Sequence, residues 1–236
     1  VTQGDQIFCS AYYHLLKKLI ETGVLKKTTL QQEQTVFHLG ESHCLSYAHH
    51  KIKIRGIDCN VKPRITLGAK AYHFSVKREN AFKAITMANF DSLPDGSNVF
   101  ISFGEIDCRQ NEGFVYAAAK QKKPIEKLVT DTVSGYVSWF FEQNQSREHS
   151  LFFLNVPAPT FQKKFSNDSN KEMAKVVKLF NDELAKQLLI YNFNIIDLYR
   201  FTVGNNGFSN GLFHIDKRHL SSDALPEIEK QIATLV

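Results

Sequence analysis

The sequence predicts an α/β domain in which helices cover both faces of a parallel sheet. Short apolar runs typical of buried strands alternate along the chain with amphipathic stretches typical of helices. The length of 236 residues suits one such domain with a sizeable core. Because crossovers between parallel strands are right-handed, the helices would lie on both faces of the sheet, as a three-layer α/β/α sandwich.

Five strands are predicted, and three of them are followed directly by glycine or proline, which mark the ends of regular elements. The predicted strands cover residues 35–39, 57–61, 98–103, 150–156 and 193–198. We expect all five to lie in one parallel sheet.

Helices are predicted between these strands. The clearest lies at 169–190, where apolar side chains recur at helical spacing along one face. The others are expected at 8–22, from residue 43 to residue 50, and at 75–90, 122–144 and 224–235. Gly23 stands where the first of them would stop.

Composition and charge exclude several classes of protein. The net charge of +5 comes from lysine pairs scattered along the chain, without a basic arm or block, which argues against nucleic-acid binding. An anionic substrate is compatible with this surface. The sequence contains no run of 18 apolar residues, so no membrane span is predicted.

The four cysteines fit neither a metal site nor a disulfide framework. They are Cys9, Cys44, Cys59 and Cys108, and no spacing among them or with histidine matches a zinc site. We therefore predict no metal and no cofactor, and free, buried thiols of a reducing compartment, so that a cytoplasmic location is expected.

The segment Gly-Glu-Ser-His at 40–43 is the first candidate for chemistry. Ser42 follows a predicted strand and begins a predicted helix, where free backbone N–H groups and the helix dipole suit an oxyanion. The alternative is that Ser42 only caps the helix.

Asp216 and His219 form the second candidate, in the segment Asp-Lys-Arg-His at 216–219. At this spacing the carboxylate can hydrogen-bond the imidazole, hold its tautomer and stabilise the imidazolium that forms when the ring accepts a serine proton. The alternative is a surface loop with a solvated histidine.

The third candidate is Phe-Gly-Glu-Ile-Asp-Cys-Arg at 103–109, directly after a predicted strand. It costs free energy to leave charged groups unpaired at a cleft, which applies here to Glu105, Asp107 and Arg109. They either form a structural ion pair or position a substrate. The ends of parallel strands meet at one edge of a sheet, so this segment and residues 40–43 would converge there, with 216–219 folded over them.

These blocks, in this order, resemble those of the SGNH/GDSL hydrolase superfamily over residues 35–222. Residues 40–42 are similar to its G-D-S block, 216–219 to its D-x-x-H block and 104–107 to its G-x-N-D block. The resemblance implies a flavodoxin-like fold and a triad of Ser42, Asp216 and His219. It further implies that the backbone N–H groups of Ser42 and Gly68 bind the oxyanion, with Ile106 in place of the usual asparagine donor.

The resemblance also implies a domain division and a setting. Residues 104–109 resemble a bacterial subgroup associated with surface-polysaccharide biosynthesis, sometimes attached to helical repeats. Residues 1–30 would then be a helical extension, continuing upstream of Val1, and 31–236 the catalytic domain. Substrate contacts are expected from His43, Glu105, Asp107 and Arg109.

The implied reaction is hydrolysis of an acyl ester through an acyl-serine. The expected substrate is an acylated small molecule or glycan, most simply an acetylated carbohydrate. Two alternatives stay open. One is an O-acyltransferase that uses the same triad to acylate a glycan. The other is a glycan-binding domain that lost catalytic power with the donor at Ile106.

Overall fold

The computed structural model describes residues 3–21 and 34–235. Its centre is a single mixed sheet of six strands in the order β2-β3-β1-β4-β5-β6. The strands are β1 (Gln34–Gly40), β2 (Lys51–Ile54), β3 (Ile57–Ile65), β4 (Asn98–Ser102), β5 (Ser150–Leu154) and β6 (Asn194–Ile196). All neighbours pair in parallel except β2 and β3, which are antiparallel.

The predicted mixture of helices and strands is confirmed, but the predicted number of strands is wrong. β2 forms a hairpin with β3 through Arg55 and Gly56, whose φ angles are 52° and 76°. Two residues with positive φ give a tight turn that matches the twist of the paired strands. The four-residue strand was missed because it is short and flanks a turn without the usual Asn-Gly signal.

The helix predicted up to residue 50 is also wrong. Ser42–Leu45 forms one turn of 3₁₀ helix and turns follow it. His49 adopts a φ of 64°, and its N–H donates to the Val61 carbonyl of β3 at 2.8 Å. A left-handed residue with this long-range hydrogen bond cannot continue a helix.

Helices flank both faces of the sheet. They are α1 (Gln3–Glu21), α2 (Ala71–Ser75), α3 (Ala81–Asp91), α4 (Phe114–Gln121), α5 (Ile125–Asn144), α6 (Asn167–Ile190), α7 (Leu198–Thr202) and α8 (Leu225–Ile232). The helix predicted at 75–90 corresponds to α3, which begins only at Ala81, and the short helix α2 before it was missed. The helix predicted at 122–144 begins after Pro124, and α4 was missed.

Side chains alternate between the two faces along each strand, as the pleat requires. Val99, Ile101 and Phe153 face a core formed with α2, α3, α5 and α6, which is rich in phenylalanine. Phe100 and Phe152 face the other core, formed with α7 and α8. The sheet is therefore covered on both sides, and only its edges and loop ends can hold a site.

Helix α1 packs on the domain beside the carboxyl ends of the strands. Leu15 and Leu19 are buried against Leu45 and Ile215, and the Lys18 ammonium donates to the Ile215 carbonyl at 3.4 Å. The predicted boundary between residues 30 and 31 lies outside the described residues. None of the helices within 3–21 and 34–235 is both long and apolar enough to cross a membrane.

Candidate active site

Ser42 lies directly beyond the carboxyl end of β1, between the ends of β3 and β4. Gly40 is required there, since a Cβ at this position would lie 2.3 Å from the Ser102 hydroxyl oxygen. The chain then turns at Glu41, and Ser42 begins the 3₁₀ turn. The side chain of Ser42 is therefore held at the sheet edge with little freedom.

Ser42, His219 and Asp216 form a continuous hydrogen-bonded chain. The Ser42 Oγ and His219 Nε2 atoms are 2.9 Å apart, and the His219 Nδ1 and Asp216 Oδ2 atoms are also 2.9 Å apart. The structure thus brings together three residues from segments separated by more than 170 positions. This geometry is that of a nucleophile, a base and a residue that orients the base.

Asp216 shapes the turn that carries the histidine. Its Oδ1 accepts the backbone N–H groups of Arg218 at 2.7 Å and His219 at 2.8 Å, which leaves Oδ2 for the ring. Burial would raise the pKa of Asp216, but hydrogen bonding and charge from His219 outweigh it and lower the pKa below its ordinary value. Asp216 is therefore a carboxylate at neutral pH.

Glu41 and His43 form a second buried pair on the other side of the nucleophile. The Ser42 hydroxyl donates to Glu41 Oε2 at 2.6 Å, and His43 Nδ1 lies 2.5 Å from Glu41 Oε1. His43 Nε2 lies 3.0 Å from the carbonyl oxygen of Arg218. Both ring nitrogens of His43 thus face acceptors, which only a doubly protonated imidazolium satisfies.

The pKa values of this pair agree with that assignment. Burial would lower the pKa of His43, but the charge of Glu41 and its hydrogen bond raise the value to about 9. Burial would raise the pKa of Glu41, but the charge of His43 and hydrogen bonds from His43 and Ser42 lower it to about 2. The pair is therefore an ion pair over the whole neutral range.

His43 was predicted to bind substrate, but its contacts in the structure are internal. Glu41 and the Arg218 carbonyl occupy both ring nitrogens, and only 8% of the residue is exposed. Its ring also packs on that of His219, with centroids 4.8 Å apart. His43 therefore ties the 216–219 turn to the nucleophile segment and leaves no nitrogen for a ligand.

Asp107, also predicted to contact substrate, likewise has internal hydrogen-bond partners. It is 3% exposed, and its two oxygens accept the backbone N–H groups of Ala71 at 2.7 Å and Tyr72 at 3.1 Å. Burial raises its pKa to about 6 despite these hydrogen bonds. Asp107 caps the start of α2 and so holds the segment that follows Gly68.

Glu105 and Arg109 form the ion pair that was one of the two alternatives. The guanidinium of Arg109 lies 2.6 Å from Glu105 and 2.8 Å from Glu112. Both Glu105 and Arg109 also line a cavity beside the triad, so they remain placed for substrate contact. Arg218 approaches the other oxygen of Glu105 at 3.7 Å.

Two backbone groups are available to an oxyanion. Among the described residues, the N–H groups of Ser42 and Gly68 donate to no protein acceptor. Gly68 has a φ of 69°, which suits glycine in the turn before α2. Ile106 is buried, at 7% exposure, and carries no donor.

Tyr12 also lies at this site, and no sequence pattern predicted it. Its side chain lies close to that of Ser42, so α1 contributes to the nucleophile's surroundings. Burial, together with the charge of Glu41, raises the pKa of Tyr12 and keeps it a neutral donor. A helical tyrosine thirty residues from Ser42 has no local signal that distinguishes it from any other amphipathic position.

Cys44 offers no competing nucleophile. It is fully buried and, like Cys59 and Cys108, forms no disulfide. Burial and the charge of Glu41 raise the pKa of its thiol well above the ordinary range. Cys9 lies among residues whose side chains are not described.

Comparisons with known proteins show the fold. No family model and no curated protein matches the sequence, but solved structures do. An extracellular lipase from Streptomyces rimosus has 12% identity and a TM-score of 0.55, over 86% of this chain and 100% of that one. A GDSL-like lipase from Bacteroides thetaiotaomicron has 14% identity and a TM-score of 0.52, over 92% and 95%. An acetyl xylan esterase has 14% identity and a TM-score of 0.51, over 86% and 99%. The chain therefore shares its fold with these lipases and this esterase, which agrees with the resemblance of its motifs.

Proposed function

We propose that the protein is a serine esterase that hydrolyses acyl esters through an acyl-Ser42 intermediate. The observation that carries this proposal is the continuous chain from Ser42 through His219 to Asp216, with both links at 2.9 Å. The fold shared with lipases and an acetyl xylan esterase supports the same class of reaction.

In the first half-reaction, Ser42 Oγ attacks the ester carbonyl and its proton passes to His219 Nε2. Glu41 also reaches this hydroxyl, but with a pKa of about 2 it is a poor proton acceptor at neutral pH. The hydroxyl, which donates to Glu41 Oε2 before the reaction, must turn its hydrogen to His219 Nε2 for this transfer. His219 then gives its proton to the departing alcohol, and Asp216 stabilises the imidazolium in between.

In the second half-reaction, a water molecule attacks the acyl-serine carbonyl while His219 Nε2 accepts a proton from it. The bond to Ser42 Oγ breaks, the oxygen recovers the proton from His219, and the carboxylic acid leaves. The same three residues act in both halves.

Oxyanion stabilisation is proposed to come from the N–H groups of Ser42 and Gly68 and from the hydroxyl of Tyr12. The Tyr12 hydroxyl would take the place of the asparagine side-chain donor, which is absent here because Ile106 stands at that position. Loss of one such donor typically lowers kcat by about 10²–10³. Tyr12→Phe is therefore expected to lower kcat by this order with little change in KM, whereas an unchanged kcat would contradict the role.

The proposed substrate is an acetylated carbohydrate. The acetyl xylan esterase with this fold cleaves such a bond by its description, and the cavity beside the triad combines polar and apolar walls. This mixture suits a sugar, which presents both hydroxyl groups and C–H faces.

Hydrolysis of p-nitrophenyl acetate tests the esterase directly. Ser42→Ala should lower kcat by at least about 10³, because the attacking oxygen is lost. Ser92→Ala, at an exposed turn after α3, should leave the rate unchanged and serves as the matched control. Equal rates for wild type and Ser42→Ala would reject the mechanism. Acetyl transfer from the ester to an added sugar in preference to water would identify an acyltransferase that uses the same residues.

A further inference from the structure

A cavity of about 110 Å³ lies beside the triad and opens to solvent. Arg218 and Glu105 form the wall nearest to the catalytic turn, and Arg218 is the immediate neighbour of His219 in the chain. The floor is apolar, with Val156, Pro157 and Met173 among its residues. A group held in this cavity would thus sit next to an ester bound at Ser42.

The walls of the cavity carry an excess of positive charge. Four cationic residues line it, Arg109, Lys164, Lys217 and Arg218, against the two acidic residues Glu105 and Glu112. The only histidine in the lining, His214, is neutral at pH 7, because burial and the charge of His43 lower its pKa to about 4. The cavity therefore has two positive charges in excess.

The internal ion pairs show which cations are free for a ligand. Arg109 is held between Glu105 and Glu112, so both acidic residues are already engaged. Lys164 stacks over the Phe165 ring at 4.7 Å. Within the described residues, neither Lys164 nor Lys217 forms an ion pair. Arg218 also forms an ion pair with Glu105, at 3.7 Å, so the excess charge is concentrated on the two lysines.

We propose that this cavity is an anion subsite for the sugar portion of the substrate. Lys164, Lys217 and Arg218 would bind a carboxylate or phosphate group of the sugar, while the apolar floor contacts its ring. This inference rests on the proposed esterase function and narrows its substrate class from acetylated carbohydrates to acetylated acidic sugars. The two lysines favour an anion at this partly enclosed site because, within the described residues, no acidic side chain forms an ion pair with either of them.

The test compares three acetylated probes that differ in one group: acetylated galacturonate, its neutral methyl ester, and acetylated galactose 6-phosphate. Wild type should cleave at least one charged probe with a kcat/KM about tenfold or more above that of the methyl ester, the factor that one charge-assisted hydrogen bond contributes. A preference for the first probe identifies a carboxylate as the ligand, and a preference for the third identifies a phosphate.

The double variant Lys164→Gln, Lys217→Gln should abolish this preference. Both lysines are exposed, so folding should be unaffected. Lys163→Gln, at the exposed neighbouring position outside the cavity, should retain the preference and is the matched control. Equal kcat/KM for all three probes in wild type, or a preference that survives the double variant, would overturn the subsite.

Hydrolysis of p-nitrophenyl acetate separates this proposal from the esterase proposal. This small ester has no anionic group, so the double variant should cleave it at the wild-type rate. Wild-type activity on it without any preference among the sugar probes would reject the subsite alone. Inactivity of wild type on all esters would reject both.

Discussion

The ion pair between Glu41 and His43 makes a prediction about stability that can be worked out from the structure. Glu41→Gln keeps the shape of the side chain but removes the charge that faces the buried imidazolium of His43. We expect the variant to be less stable than wild type, by an amount that depends on pH. The expected dependence follows from the pKa of His43 in the folded protein.

That pKa is about 9 in the folded state, against about 6.5 for an ordinary histidine in the unfolded chain. A raised folded-state pKa contributes stability that is fully present below the unfolded value and is lost as pH rises through the folded value. The difference between the folded-state and unfolded-state pKa values of His43 corresponds to about 3 kcal/mol of unfolding free energy at pH 6.5 and below. It should fall to less than about 1 kcal/mol by pH 9.

In Glu41→Gln, burial should lower the pKa of His43 and leave the ring neutral above pH 6.5, so this contribution disappears. Wild type should therefore lose about 3 kcal/mol of stability between pH 6.5 and 9.5 relative to the variant. Urea unfolding followed by circular dichroism across this range measures the difference. Glu79→Gln, at an exposed position, controls for the change in net charge.

Curves that stay parallel for wild type and Glu41→Gln from pH 6.5 to 9.5 would refute the reasoning. They would show that His43 is neutral in the folded protein and that one of its ring nitrogens faces an acceptor without a proton.

Three further predictions concern single residues. Asp107→Asn should lower the unfolding free energy by about 1–3 kcal/mol, since two backbone amides at α2 lose a carboxylate acceptor; an unchanged urea midpoint would speak against it. Asp216→Asn should lower kcat on p-nitrophenyl acetate by about 10⁴, because the base loses its orienting charge, and wild-type kinetics would contradict that role. Gly104→Ala should destabilise by at least about 2 kcal/mol, because the new Cβ would lie 2.4 Å from the Phe180 ring at a φ of 126°. Gly96→Ala, also at positive φ but with no atom within 4 Å, should cost less when both variants are unfolded in urea, and equal midpoints would contradict the steric argument.

Several features of the site were predictable from the sequence because they are local. Asp216 and His219 are three residues apart, so one turn brings them into contact wherever the loop lies. Ser42 follows an apolar run, which places it at a strand end. Since parallel strands share a carboxyl edge, the convergence of these segments followed from the fold class alone.

The internal partners of His43 and Asp107 could not be predicted from the sequence, for a different reason. His43 and Asp107 are polar residues beside a predicted cleft, and sequence alone does not distinguish a ligand contact from an internal partner. In the structure, the acceptors that face His43 belong to residues 41 and 218, and the backbone N–H donors to Asp107 belong to residues 71 and 72. These partners depend on which loops meet at the sheet edge.

The sequence by itself determined the α/β class, the sites of the main strands and the two segments that carry the triad, because hydrophobic period and turn residues act over a few positions. Only the tertiary structure decided the additional strand β2, the Glu41–His43 ion pair, the position of Tyr12 beside Ser42 and the charged cavity beside Arg218. Each of these depends on contacts or exposure set by how distant segments pack, which no local pattern records.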